Sequence, residues 1–203
     1  MLLVALALAA AAPLSLPPID TCANDRSFVE FRDELRKTIK REDSSSLEHV
    51  VASDFYYGYP FSELGRDHFL GAMAGAKRGN PSWGALSDIL HLGCVLEKGR
   101  ARSPSFDHQL STQKKGYESL TSALALPGAV VRSRPSDRAR IVARSNWLVL
   151  TELEESEPGW VGVQLTDGRK GFVKEAMTAT TGIIVSFEKR DGRWMMTGWT
   201  FGD

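Results

Sequence analysis

The chain has 203 residues, 42% of them hydrophobic, with 25 basic against 25 acidic side chains. That apolar content is enough for one ordinary domain or two small ones, and it excludes a disordered polyelectrolyte. The balanced charge leaves no overall field to draw in nucleic acid or an anionic membrane surface.

Residues 2–12 of the opening MLLVALALAAAAPLSLPP form an apolar run too short to span a bilayer comfortably. The run ends in small residues that fit an A-x-A cleavage pattern, then gives way to Pro13, Pro17 and Pro18. This predicts a secretory signal peptide within residues 1–20, a periplasmic or secreted protein, and no integral membrane segment after cleavage. No Lys or Arg precedes the run, and the alternative is a retained N-terminal membrane anchor. Cys22 lacks the small-residue context of a lipoprotein signal. The only other cysteine is Cys94. Export would let the two pair as a disulfide; the alternative is one buried and one mobile free thiol. The C-x-x-C spacing of a redox or zinc site is absent.

Phe28, Phe31, Leu35 and Ile39 recur at spacings of three and four, which predicts an amphipathic helix over 25–41 capped by Asn24 or Asp25. Asp43 and the serines at 44–46 break it and cap a short helix over 47–51. The aromatic stretch DFYYGYPF then reads as a strand ending at Pro60. A third helix is predicted from 62 to about 77, weakened by Gly65, Gly71 and Gly75. A fourth follows Pro81 and carries Trp83, Leu86, Ile89, Leu90 and Leu92. Residues 21–98 thus make a helical, mixed α+β domain. Between 99 and 125 periodicity fades, which predicts a linker or long surface loop.

From 126 to 180 the texture changes to short β-like runs separated by turns, as in a small barrel or sandwich. Residues 181–203 read as a C-terminal hairpin around Asp191-Gly192. Ile183, Val185 and Phe187 alternate on one arm, and Trp194, Met196 and Gly198 on the other. The predicted class is α+β: a helical N-terminal portion, a small β-barrel, and a hairpin that packs back to complete one of them.

Residues 126–177 resemble a bacterial SH3 (SH3b) domain. The resemblance is carried by Val130-Val131-Arg132-Ser133-Arg134-Pro135-Ser136, then Ile141-Val142, the strand at 146–153 and Gly159-Trp160 with Val163. The turn Asp167-Gly168-Arg169 and the closing Gly171-Phe172-Val173 complete it; Phe172 stands where tryptophan or tyrosine is common. Such a resemblance implies a five-stranded, partly open barrel in an extracytoplasmic setting, where many such domains bind cell-wall peptides or glycans. Residues 28–70 are similar to the opening of an NTF2-like (SnoaL-type) domain, with its helices, aromatic strand and G-R-D-x-F helix. In that case the final hairpin would supply part of the curved sheet, and the barrel would be an insertion. The whole chain is also similar to an exported family of SH3-domain proteins ending in a D-G-R-W … G-D hairpin, which has no agreed activity to transfer.

No catalytic constellation stands out. His49, His68, His91 and His108 share no i, i+4 face and HExxH is absent, so no metal or cofactor is expected. G-x-S-x-G and a local cysteine-nucleophile context are also missing. The expected role is non-enzymatic, with a cell-wall peptide or glycan, or another envelope protein, as partner. The candidate binding residues are Arg132, Arg134, Trp160, Arg169 and Phe172. Arginine presents a planar fork to carboxylates, although the arginines at 132, 134, 138, 140 and 144 can instead pair with the glutamates at 152, 154, 155 and 157. The alternative is an NTF2-like small-molecule binder or enzyme with a pocket around Asp54, Tyr57 and His68, where a buried acid would have a raised pKa. Tyr57 and its neighbours Tyr56 and Tyr59 also fit an ordinary core, with their hydroxyls reaching the surface. In GWVGVQL, Val161, Val163 and Leu165 share the barrel-filling parity and Trp160 opposes it. Trp160 therefore faces either a ligand or another part of the chain.

Overall fold

A computed structural model describes residues 12–58, 65–75, 81–113, 122–180 and 182–201. In chain order these hold a 3-10 turn (Thr21–Asn24), α1 (Arg26–Arg41), α2 (Ser44–Glu48), β1 (Val51–Gly58), α3 (Gly65–Gly75) and α4 (Trp83–His91). Next come β2 (Val95–Glu97), β3 (Arg100–Ser103), α5 (Phe106–Gln113) and β4 (Ser122–Ala125). The remainder is β5 (Val130–Arg132), β6 (Ile141–Arg144), β7 (Leu148–Glu157), β8 (Trp160–Leu165), β9 (Lys170–Lys174), β10 (Thr178–Thr180), β11 (Ile183–Arg190) and β12 (Arg193–Phe201). The class is α+β, with two separate sheets. Residues 1–11, most of the apolar run assigned to the leader, lie outside the described residues. Among those described, no helix is long and apolar enough to cross a membrane.

The chain divides into two compact units, one of Pro17–Leu120 with Thr180–Asp203, the other of Met1–Leu16 with Thr121–Ala179. In the first, the helical unit, α1 forms where its stripe predicts and buries Phe28, Leu35 and Ile39. The Asp25 carboxylate accepts from the Phe28 N–H at 3.0 Å, satisfying one of the helix's orphan donors. The second helix starts earlier than the sequence suggested, because Asp43 itself caps it by accepting from the Ser46 N–H. The strand order is β1-β12-β11-β3-β2, with β1 parallel to β12 and the other pairs antiparallel. The C-terminal hairpin thus lies at the centre of this sheet. Phe28 packs edge-on against Phe187 and Trp194, at 5.5 and 4.9 Å between ring centroids.

Two expectations change here. The stretch at 99–125 is not a bare linker: it carries β3, α5 and β4. These elements are too short to show a period, and β3 exists because β2 and β11 flank it. The alternation along the last strand breaks after Met196. Ser186 pairs with Gly198 and Phe187 with Met196, so Thr197 is an extra residue, and Trp199 rather than Gly198 turns into the core.

Cys22 and Cys94 are bonded, across 72 residues of sequence, with their Cα atoms 5.6 Å apart. Backbone bonds between Thr21 N and Cys94 O and between Cys94 N and Ile19 O reinforce the link, each at 2.9 Å.

The second, β unit is one seven-stranded sheet in the order β10-β4-β7-β8-β9-β5-β6. It is open, not a closed barrel: β10 and β6 are its edges, and β5 meets β9 at the single pair Arg132–Phe172. Ser145 ties the end of β6 to the start of the unit, its N–H donating to Ala129 O at 2.8 Å and its hydroxyl to Ala125 O at 2.6 Å. The core is small, with Val131, Leu150, Val163, Leu165 and Val173 at its centre. Within the segment read as leader, Leu14 and Leu16 bond to β7 and its approach, through Val149 N to Leu14 O and Leu16 N to Trp147 O, each at 2.9 Å.

The two caps make a pH prediction. The Ser27 hydroxyl and Phe28 N–H hold the Asp25 carboxyl below its ordinary range, and the Ser46 hydroxyl and N–H do the same for Asp43. A depressed carboxylate contributes stability that is fully present above the unfolded aspartate pKa, near pH 4, and is lost as pH falls through the folded value. Asp25→Asn with Asp43→Asn keeps a capping side chain but removes the titration. Thermal midpoints of the double variant, followed from about pH 6 to about pH 2.5, fall less on acidification than those of the wild type. Parallel curves would contradict this.

Candidate functional site

Within the β unit, Trp160 stands opposite Lys174, and Gly162 stands opposite Phe172, which in turn stands opposite Arg132. Directly opposed residues share a face, as do residues two apart on one strand. Trp160, Phe172, Arg132 and Lys174 therefore line one face, while Val131, Val161, Val163 and Val173 line the other, where the core sits. Trp160 and Phe172 are both half-buried. The Lys174 ammonium lies 5.6 Å from the Trp160 ring centroid and 2.9 Å from the Asp137 carboxylate. That ion pair ties the loop at 133–140 to the side of the face. Arg132 braces the same loop by donating to Ala139 O at 2.8 Å.

A bulge in β7 completes the face. Glu152 pairs with Val163 and Ser156 with Val161, so Leu153, Glu154 and Glu155 all oppose the single residue Gly162. The Glu155 backbone folds over that glycine so closely that a Cβ there would lie 2.1 Å from its carbonyl oxygen. The bulge backbone thereby covers Gly162, which lies between Trp160 and Gln164 on β8 and opposite Phe172.

The predicted charge neutralisation does not occur. Arg134, Arg138, Arg140 and Arg144 are exposed, and among the described residues their side chains make no ion pair or hydrogen bond. The side chains of Glu152, Glu154, Glu155 and Glu157 likewise make no ion pair among the described residues. The strand order explains it. β8 and β9 separate acidic β7 from basic β5, about 14 Å along the sheet and beyond the physiological Debye length of about 8 Å.

Of the predicted binding residues, Trp160, Phe172 and Arg132 come together, with Arg134 on the adjoining loop. Arg169 does not join them. It sits in the β8–β9 turn at the far end of the hairpin, its guanidinium bonded to Asp167 at 2.7 Å and to Val142 O at 2.7 Å. Arg169 in turn holds the Asp167 carboxyl below its usual range.

The alternative trio is not assembled. Asp54 and Tyr57 differ in parity along β1, and Asp54 is exposed and bonded to Arg190. That guanidinium lowers the Asp54 pKa, the opposite of what a buried general base needs. His68 is exposed on α3. Tyr57 is buried, and desolvation raises its pKa. Polar groups that sequence reasoning missed share its side of the sheet. Tyr57 pairs with Trp199, Trp199 with Val185, and Val185 with Ser103, in one cross-strand row. Trp199 Nε1 and Ser103 Oγ are buried there without a hydrogen-bond partner among the described residues. Local patterns gave no signal for this row, which depends on β1 pairing with the far end of the chain.

Among the described residues, the one group with metal-ligand proximity is Asp20, Cys22 and Cys94. Its two sulfurs are bonded to each other and Asp20 is paired with Arg32 at 2.8 Å, so no thiolate is left to ligate. No family model matches the chain, and comparison with curated proteins and with solved structures found no match either.

Proposed function

We propose that this is an exported, non-catalytic cell-envelope binding protein whose β unit holds a cell-wall peptide across the face formed by Trp160, Phe172 and Arg132. The observation that carries the reading is the aromatic pair beside Arg132, with the exposed Arg134 on the adjoining loop making no ion pair or side-chain hydrogen bond among the described residues. Aromatic rings accept the apolar flank of an extended peptide. Arg134 and its neighbours suit its carboxylates. The SH3b resemblance of residues 126–177 points the same way, and the disulfide fits a periplasmic or secreted setting. Purified peptidoglycan sacculi retain the wild type, whereas Trp160→Ala and Arg134→Glu bind about 30-fold more weakly, as for a central aromatic anchor and its charge partner. Background-level retention of all three proteins would sink the reading.

A second reading is favoured by the buried row in the helical unit. A small acceptor-bearing molecule reaching this row would satisfy Trp199 Nε1 and Ser103 Oγ, as in an NTF2-like binder. Native mass spectrometry of the exported protein would then show a co-purifying small molecule, lost in Trp199→Phe. A single bare mass for the wild type counts against it.

A further inference from the structure

The β2–β3 hairpin carries a cluster of charge that the peptide-binding face does not use. Its turn is Lys98-Gly99, with φ of +48° and +78°. Glycine takes that conformation freely, but a lysine there is held against its preference. Register places Val95 opposite Arg102 and Glu97 opposite Arg100, while Leu96 and Ala101 turn to the core. Val95, Glu97, Arg100 and Arg102 therefore share the outer face, and His108 of α5 reaches over it to within 3.8 Å of Glu97.

Together Val95, Glu97, Lys98, Arg100, Arg102 and His108 line a notch of about 400 Å³. Its electrostatics are unbalanced. Arg100 engages Glu188 through Nε at 2.8 Å, which leaves the outer nitrogens of its fork. Arg102 and Lys98 have no ion pair or side-chain hydrogen bond among the described residues. Arg100 and Arg102 are two apart on one strand, about 7 Å along it, so both forks can address one multi-oxygen anion. The floor is a single buried valine, too small to hold a large apolar body. Cations next to the edge strand β2 also discourage edge-to-edge pairing. That role needs neither a notch nor a lysine in the left-handed conformation.

We infer that the notch between the β2–β3 hairpin and α5 is a binding site for a phosphate group, held by Lys98, Arg100 and Arg102 with His108 at the rim. The phosphate belongs either to a soluble ester or to a phospholipid head group, and the experiment separates the two. Titrate ¹⁵N-labelled full-length protein with glycerol 3-phosphate at constant ionic strength, using chloride as the control. Saturable shifts are expected at residues 95–102 and 108. Lys98→Gln with Arg102→Gln weakens them at least about tenfold, the effect of losing a charge-assisted hydrogen bond. Both side chains are exposed, so the variant's unchanged thermal midpoint confirms its fold. In the second arm, vesicles of phosphatidylcholine with and without phosphatidylglycerol are sedimented with each protein. Retention that needs phosphatidylglycerol and is lost in the double variant assigns the phosphate to a lipid. Titration without such retention assigns it to a soluble ester. Shifts no larger than those from chloride, together with equal sedimentation of both proteins, overturn the proposal.

Discussion

Replacing both bonded cysteines, in Cys22→Ala with Cys94→Ala, lowers the stability of the helical unit by about 4 kcal/mol, the loop-closure entropy of a cross-link spanning 72 residues. The bridge joins the 3-10 turn to the residue just before β2, an edge strand of three residues with one neighbour in the sheet. Without it, the turn is tied to that edge only by hydrogen bonds: the Thr21–Cys94 and Cys94–Ile19 backbone bonds and the Leu96 N–H donated to Thr21 Oγ1 at 2.8 Å. With two compact units, unfolding need not be a single step. The suitable measurement is therefore amide exchange of α1 and β11 in increasing urea. A loss below about 1 kcal/mol would mean that the backbone bonds suffice and the entropic account fails here.

Gly162→Ala has the second large effect, about 2–3 kcal/mol, typical of overpacking against a structure that must shift. The strain is steric: the new methyl would sit 2.1 Å from Glu155 O and 3.2 Å from the carbonyl carbon, so the β7 bulge must move. Gly168→Ala makes the contrast. Its φ is +87° and nothing lies within 4 Å of the added methyl, so it costs only about 1 kcal/mol of backbone strain. Urea unfolding of the β unit, followed by exchange of the β8 and β9 amides, ranks the two. Because the bulge borders Trp160 and Phe172, Gly162→Ala also loses sacculus retention, whereas Gly168→Ala keeps it. Equal losses of stability would show that the bulge yields freely.

Much of the helical unit was legible. The apolar stripes of α1 and α4, the capping acid before α1 and the Asp191-Gly192 turn are local chemistry, and each appears where the residues place it. The proposed binding face was half legible. Parity put Trp160 on the side opposite Val161 and Val163, but nothing local could say that Phe172 and Arg132 would lie beside it or that Arg169 would not. The reverse happened at Asp54 and Tyr57, which the NTF2-like resemblance grouped around one pocket and strand alternation sends to opposite faces.

By itself the sequence determined which faces are apolar, where the first helix starts, and which turns can bend, because periodicity and backbone preference act over a few residues. The tertiary structure alone decided the parallel pairing of β1 with β12, the extra Thr197 that turns Trp199 inward, and the strand order that keeps the arginines of the β unit away from its glutamates. Those outcomes depend on which distant strands meet and in what register, a choice set by packing the whole core and not by any single segment.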